Sequence, residues 1–167
     1  IQINQEAFYF TSLVSITIPR TVENIFDGAF SFCKSLKSVT FAPNSQLKLI
    51  DDEAFQNSGI EKISIPDTVE VIGKNCFRKC EKLQSVEFSD NSELNYIGKG
   101  AFCFTQIECF KIPQNIKKIE SDTFYKCREL RKVIFSKKSQ LESIKKKAFN
   151  FTSLVKILIP QNVKKIG

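Results

Sequence analysis

An isoleucine recurs at Ile3, Ile25, Ile50, Ile72, Ile97, Ile119, Ile144 and Ile166, at intervals that alternate between 22 and 25 residues. Five positions after each of the first seven stands a phenylalanine: Phe8, Phe30, Phe55, Phe77, Phe102, Phe124 and Phe149. The residue before that phenylalanine is small, Ala in five units and Cys76 or Thr123 in the other two. Self-similarity of this kind dictates a stack of like coils, because one such unit buries too little apolar surface to stand alone.

A second block follows the first. Short units read Leu13-Ile16-Ile18-Pro19-Val22, then Ile60-Ile63-Ile65-Pro66-Val69, Ile107-Phe110-Ile112-Pro113-Ile116 and Leu154-Ile157-Ile159-Pro160-Val163. Long units write the same stretch as Leu36-Val39-Phe41, Leu83-Val86-Phe88 and Leu130-Val133-Phe135, and add turn residues such as Ala42-Pro43-Asn44-Ser45. In Ser38-Val39-Thr40-Phe41 apolar and polar residues alternate, the period of a strand with one buried face. The proline after each short-unit strand has no amide hydrogen with which to extend a ladder. Each unit turns about seven apolar side chains inward, worth about 1.5–3 kcal/mol apiece when fully buried. Ordering the backbone costs about 1–2 kcal/mol per residue, so stability belongs to the stack. The expected fold is a curved right-handed solenoid, β-rich within the α/β class. It has about seven repeats, one parallel sheet on the concave face and irregular or short helical turns on the convex side.

Units reading IxxxAFxxCxxLxxVxF and LxxIxIPxxVxxI carry the LxxLxL signature and resemble BspA-type leucine-rich repeats along nearly the whole chain, Ile3 to Gly167. The resemblance implies a single leucine-rich repeat domain over 1–167, and the absence of polar caps at either end leads one to expect a piece of a longer array. It also implies a protein at the cell surface or secreted, with adhesion or host and matrix recognition as its work. Any membrane attachment would then come from segments outside this chain. The open ends, with unpaired strand edges, offer a route to self-association.

Composition narrows the chemistry. There is no His, Met or Trp. Without His, neither a Ser-His-Asp nor a Cys-His couple exists, and no imidazole metal site. No CxxC pair, Walker loop or GxGxxG fingerprint is present, so no catalytic, cofactor or metal residue is proposed. Cys33, Cys80 and Cys127 share one position of the long unit. At a repeat spacing of about 4.8 Å they stand roughly 10 Å apart, too far for a disulfide. They read as small buried hydrophobes, and Cys76 as another. A bridge from Cys103 to Cys76 or Cys80 stays open on spacing alone. Cys109 faces outward by strand alternation. The sequon Asn150-Phe151-Thr152 falls on a convex turn.

The net charge of +7 is uneven: residues 1–96 carry 9 basic and 13 acidic side chains (−4), residues 97–167 carry 16 and 5 (+11). The lysine clusters fall mostly in turns, and most of the phenylalanines are committed to the core. Nucleic-acid binding, which wants aromatic platforms among the charges, is therefore not expected. Outward strand positions change from Ser15/Thr17 and Ser38/Thr40 to Lys132/Ile134 and Lys156/Leu158. Apolar Ile134 and Leu158 among lysines make a protein-binding patch. The candidate partner-binding residues are Lys111, Lys132, Ile134, Lys156 and Leu158, facing a protein or glycan ligand on the concave side. The competing reading is an intracellular scaffold using the same face, favoured by thiols with no evident pairing.

Overall fold

The structure is a computed structural model that describes all residues 1–167. Its strands are β1 (Gln2–Ile3), β2 (Ser15–Ile18), β3 (Asn24–Ile25), β4 (Ser38–Phe41), β5 (Leu49–Ile50), β6 (Lys62–Ser64) and β7 (Val71–Ile72). They continue as β8 (Ser85–Glu87), β9 (Tyr96–Ile97), β10 (Cys109–Ile112), β11 (Lys118–Ile119), β12 (Lys132–Phe135), β13 (Ser143–Ile144) and β14 (Lys165–Ile166). Every pairing is parallel and joins neighbouring coils, as a solenoid requires. The longer strands line the expected concave face, but as two sheets rather than one, β2-β4-β6-β8 and β10-β12. A second, narrow ladder was not expected. The two-residue strands around the recurrent isoleucines pair as β1-β3-β5-β7-β9 and β11-β13-β14, with Ile25, Ile50, Ile72 and Ile97 in register.

The convex turns contain no helix, which corrects half of the alternative offered by the sequence. Two residues of each coil have positive φ, one series at Glu6, Gly28, Glu53, Asn75, Gly100, Asp122 and Lys147. The other runs through Phe10, Phe32, Asn57, Lys79, Phe104, Lys126 and Phe151. A left-handed residue every four positions stops a right-handed helix before its first turn is complete. The backbone is satisfied between coils instead. Phe30 N–H donates to Ala54 O (2.7 Å), Phe55 N–H to Cys76 O (2.9 Å) and Phe77 N–H to Ala101 O (2.7 Å).

Inside, the recurrent phenylalanines form one file. Phe8, Phe30, Phe55, Phe77, Phe102, Phe124 and Phe149 stack with centroids 5.0–5.7 Å apart and planes within 10°. Offset stacking adds to the hydrophobic gain of burying each ring. Beside it runs a polar file at the same alternation: Thr11, Cys33, Ser58, Cys80, Thr105, Cys127 and Thr152. Cys33, Cys80 and Cys127 donate their thiol protons to the carbonyls of Phe8 (2.9 Å), Phe55 (3.0 Å) and Phe102 (3.0 Å). Each thiol also meets a hydroxyl, from Thr11, Ser58 or Thr105, at 3.3–3.4 Å. These cysteines fill a core slot as expected, and their thiols add a second donor to carbonyls that already accept from Thr11 N–H, Ser58 N–H or Thr105 Oγ1.

Candidate binding surface

The concave sheet is not evenly knit. Short-to-long neighbours pair fully: β2 with β4 over four residues, β6 with β8 over three, β10 with β12 over four. Long-to-short neighbours part company. β4 meets β6 only at Ser38–Lys62, and β8 has no ladder to β10. The prolines explain where the seams fall. Ile65 N–H points to β8, donating to Glu87 O at 2.9 Å. Alternation therefore turns position 66 toward β4, where Pro66 presents a ring instead of a donor. Pro113 and Pro160 stand at the corresponding points of the next two seams.

The first seam opens a groove of about 780 Å³, lined among others by Ser38, Thr40, Lys62, Ser64, Asp67 and Glu87. Its polar side chains bond along the surface, Thr17 to Thr40 at 2.9 Å and Ser64 Oγ to Glu87 at 2.8 Å. Sequence reasoning missed this groove, although the strand-ending prolines were its signal.

The candidate residues divide at the third seam. Lys111, Lys132 and Ile134 lie on β10 and β12 with Lys111 beside Ile134 and Cys109 beside Lys132. All four are exposed, while Phe110, Ile112 and Val133 turn inward. Lys156 and Leu158 occupy the next coil, but the strand expected there does not form. Only Ser153 reaches across before the seam at Pro160, its N–H donating to Leu130 O at 3.1 Å and its Oγ to Arg128 O. Lys156 and Leu158 are exposed on this unpaired segment, Leu158 at 74% against 37% for Ile134. The five residues thus share a side without sharing one sheet. Lys111 is engaged already: its Nζ lies 2.5 Å from Asp90 Oδ1. The lysine hydrogen bond and charge hold the Asp90 carboxyl below its usual range.

A second surface was also missed. Phe10 and Phe151 are 68% and 58% exposed, so not every phenylalanine serves the core. With Tyr9 and Phe32, and with Phe104 and Tyr125, they form two aromatic groups at the convex corner. Lys126 Nζ sits 5.1–5.9 Å from the rings of Phe104, Tyr125 and Phe151. Their signal in the sequence was recurrence two residues after a core ring, as in Phe8/Phe10, Phe30/Phe32, Phe102/Phe104 and Phe149/Phe151. Asn150 of the sequon is exposed on this corner, and Thr152 Oγ1 donates to Phe149 O at 2.9 Å.

All six cysteines are free thiols, so the bridge left open for Cys103 does not form. Burial pushes Cys80 and Cys103 up to about 11, and Cys76 and Cys127 are raised for the same reason. Such thiols are poor nucleophiles. Asp27 is raised first by burial and then by its acidic neighbours, Glu53, Asp51, Asp52 and Glu6. No three His, Cys, Asp or Glu side chains stand close enough to hold a metal ion.

Two parallel ladders, a ring-filled core and a broad polar face define a leucine-rich repeat solenoid. The BspA type leucine rich repeat region matches residues 1–131 and 48–167 in six copies. The chain belongs to the BspA-type leucine-rich repeat family. A leucine-rich repeat protein of Bacteroides ovatus matches 99% of the chain at 31% identity and a TM-score of 0.86. The chain spans 42% of that protein. The leucine-rich repeat protein of T. pallidum matches 86% of the chain at 27% identity (TM-score 0.74), with 65% of its own length covered. A leucine rich cell surface protein of Faecalibacterium prausnitzii matches 93% at 25% identity (TM-score 0.59), with 44% of its length covered. No curated protein matches the chain.

Proposed function

We propose that this array is a non-enzymatic recognition module of a cell-surface or secreted protein, and that it binds a protein partner through Lys111, Lys132, Ile134, Lys156 and Leu158. The observation that supports this is exposed Ile134 and Leu158 on a side where the flanking outward residues are lysines. Apolar anchors inside a charged rim are the pattern of an interface centre. The rim calls for an acidic partner surface. A surface location is supported by the cell surface protein of Faecalibacterium prausnitzii among the similar structures.

Cys109 supplies the test. It is the one exposed thiol, and it sits beside Lys132 on the proposed face. A photo-crosslinker attached there should capture partners from host-cell surface extract, and Ile134→Ser with Leu158→Ser should cut capture about tenfold or more. Capture unchanged by the double substitution, with folding intact, refutes the assignment of this face. The second reading, an intracellular scaffold, is favoured by the six free thiols. Antibody labelling of intact source cells supports the surface reading, and labelling only after permeabilisation supports the scaffold.

A further inference from the structure

A second groove lies beyond the concave patch, at the rim where two long-unit loops flank a short-unit turn. It has a volume of about 550 Å³ and is lined by Ser89, Asn91, Lys111, Gln114, Lys137 and Lys138 among others. That volume lies in the range of small-ligand clefts, about 300–1,000 Å³. Its walls are polar. Apart from Ile112 and Pro113, both buried, each lining residue carries a hydroxyl, an amide or a charge. Three lysines face one aspartate there, a net +2. Asp90 is held by Lys111, while neither Lys137 nor Lys138 has a carboxylate within ion-pair reach.

The solenoid contains its own control. The positions 47 residues before Lys111, Gln114, Lys137 and Lys138 hold Ser64, Asp67, Asp90 and Asn91. Ser64 and Asp67 line the groove at the first seam, which carries Lys62, Asp67 and Glu87, a net −1. The same turn architecture thus accommodates either sign. Stacking does not require the lysines of the second groove, and loop solvation alone does not require them to converge on one hollow.

We propose that this groove binds an acidic saccharide, through sulfate or carboxylate groups held by Lys137 and Lys138 and sugar hydroxyls held by Ser89, Asn91 and Gln114. Lysine supplies charge-assisted donors to such anions, and amides and hydroxyls match a polyhydroxylated ligand. An acidic peptide would gain from exposed apolar walls, which the groove lacks. A nucleic acid would gain from aromatic platforms, and no aromatic residue lines it.

The test uses immobilised heparin hexasaccharide with the intact 167-residue chain. Binding is expected, weakening severalfold between about 50 and about 200 mM salt because the site is open to solvent. Lys137→Ser with Lys138→Ser should weaken binding about tenfold. Lys146→Ser with Lys164→Ser removes the same charge from exposed positions elsewhere and should change binding less than about twofold. Desulfated and carboxyl-reduced hexasaccharides then assign the contact to sulfate or to carboxylate. Equal losses in the two double variants, or no binding to heparin, overturn the proposal. So does a poly-glutamate peptide that binds as tightly and is weakened by the same pair. The concave assignment does not depend on Lys137 or Lys138, so either proposal can fail alone.

Discussion

The file of stacked phenylalanines makes a positional prediction about stability. Phe77 is fully buried between Phe55 and Phe102, both at 5.4 Å and within 8° of parallel. Phe8 is half-buried and stacks on Phe30 alone, at 5.0 Å. Replacing either ring with leucine keeps most of the apolar volume, so the substitution isolates the stacking. A shape change in a packed core costs up to about 1.5 kcal/mol. Each lost aromatic pair adds about 0.5–1.5 kcal/mol. Phe77→Leu, which loses two pairs in a sealed site, should therefore cost about 2–4 kcal/mol. Phe8→Leu, losing one pair where water already reaches, should cost about 1 kcal/mol. Urea unfolding followed by circular dichroism reads both values, with midpoints about 0.5–1.5 M apart if the urea slope is near 2 kcal/mol/M. A cost for Phe8→Leu equal to or above that for Phe77→Leu would refute the account of the rings as a coupled file.

The buried thiols predict an alkaline limit. Burial raises Cys80 from 9.0 to about 11, so its stabilising effect is whole below pH 9 and is lost as pH rises toward 11. The shift corresponds to about 3 kcal/mol, and the raised Cys76 and Cys127 act in the same direction. The urea midpoint should fall between pH 9 and 11, less steeply in Cys80→Ala; equal slopes in the two proteins would contradict this assignment. A second prediction concerns Gly59, where an added Cβ would run into the backbone carbonyl of Lys34 on the neighbouring coil. Gly59→Ala should destabilise by about 3 kcal/mol or more, as backbone must move to admit it. A melting temperature unchanged from the parent protein would show that the coils can separate at no cost.

The inward half of this molecule was legible because its period is its physics. Every coil must offer the next one an isoleucine, a ring and two strand residues in the same places, so spacing alone located the core. The outward half is set by smaller things. Whether Pro66 merely ends a strand or also parts it from β4 depends on which side its nitrogen faces, and that follows only from the register of Ile65 with Glu87. The corresponding seam at Pro160 left Lys156 and Leu158 off the strand that alternation had given them. Phe10 and Phe104 look like core residues by type. Their left-handed backbone, φ 57° and 61°, turns them to the corner, at a cost of roughly 1–2 kcal/mol each that only the folded coil reveals. The thiols of Cys33, Cys80 and Cys127 read correctly as buried, but their carbonyl partners lie one coil away, invisible to local sequence.

The 47-residue double unit explains how recognition can vary without endangering the fold. Substitutions at exposed positions away from caps and buried partners change stability within about 0.5 kcal/mol, while the inward files tolerate little. Ser64 and Lys111, or Asp90 and Lys137, are such outward pairs, equivalent in place and unlike in charge. The backbone that carries them is held by the phenylalanine file and the coil-to-coil hydrogen bonds, which these four side chains do not enter. Each seam is thus a site whose shape is fixed by a proline and a long-unit loop and whose chemistry is free. It follows that the substitutions at Ile134 and Leu158, and those at Lys137 and Lys138, should leave the unfolding midpoint almost where it is. A loss of binding in either pair then reports the contact itself rather than a loosened solenoid.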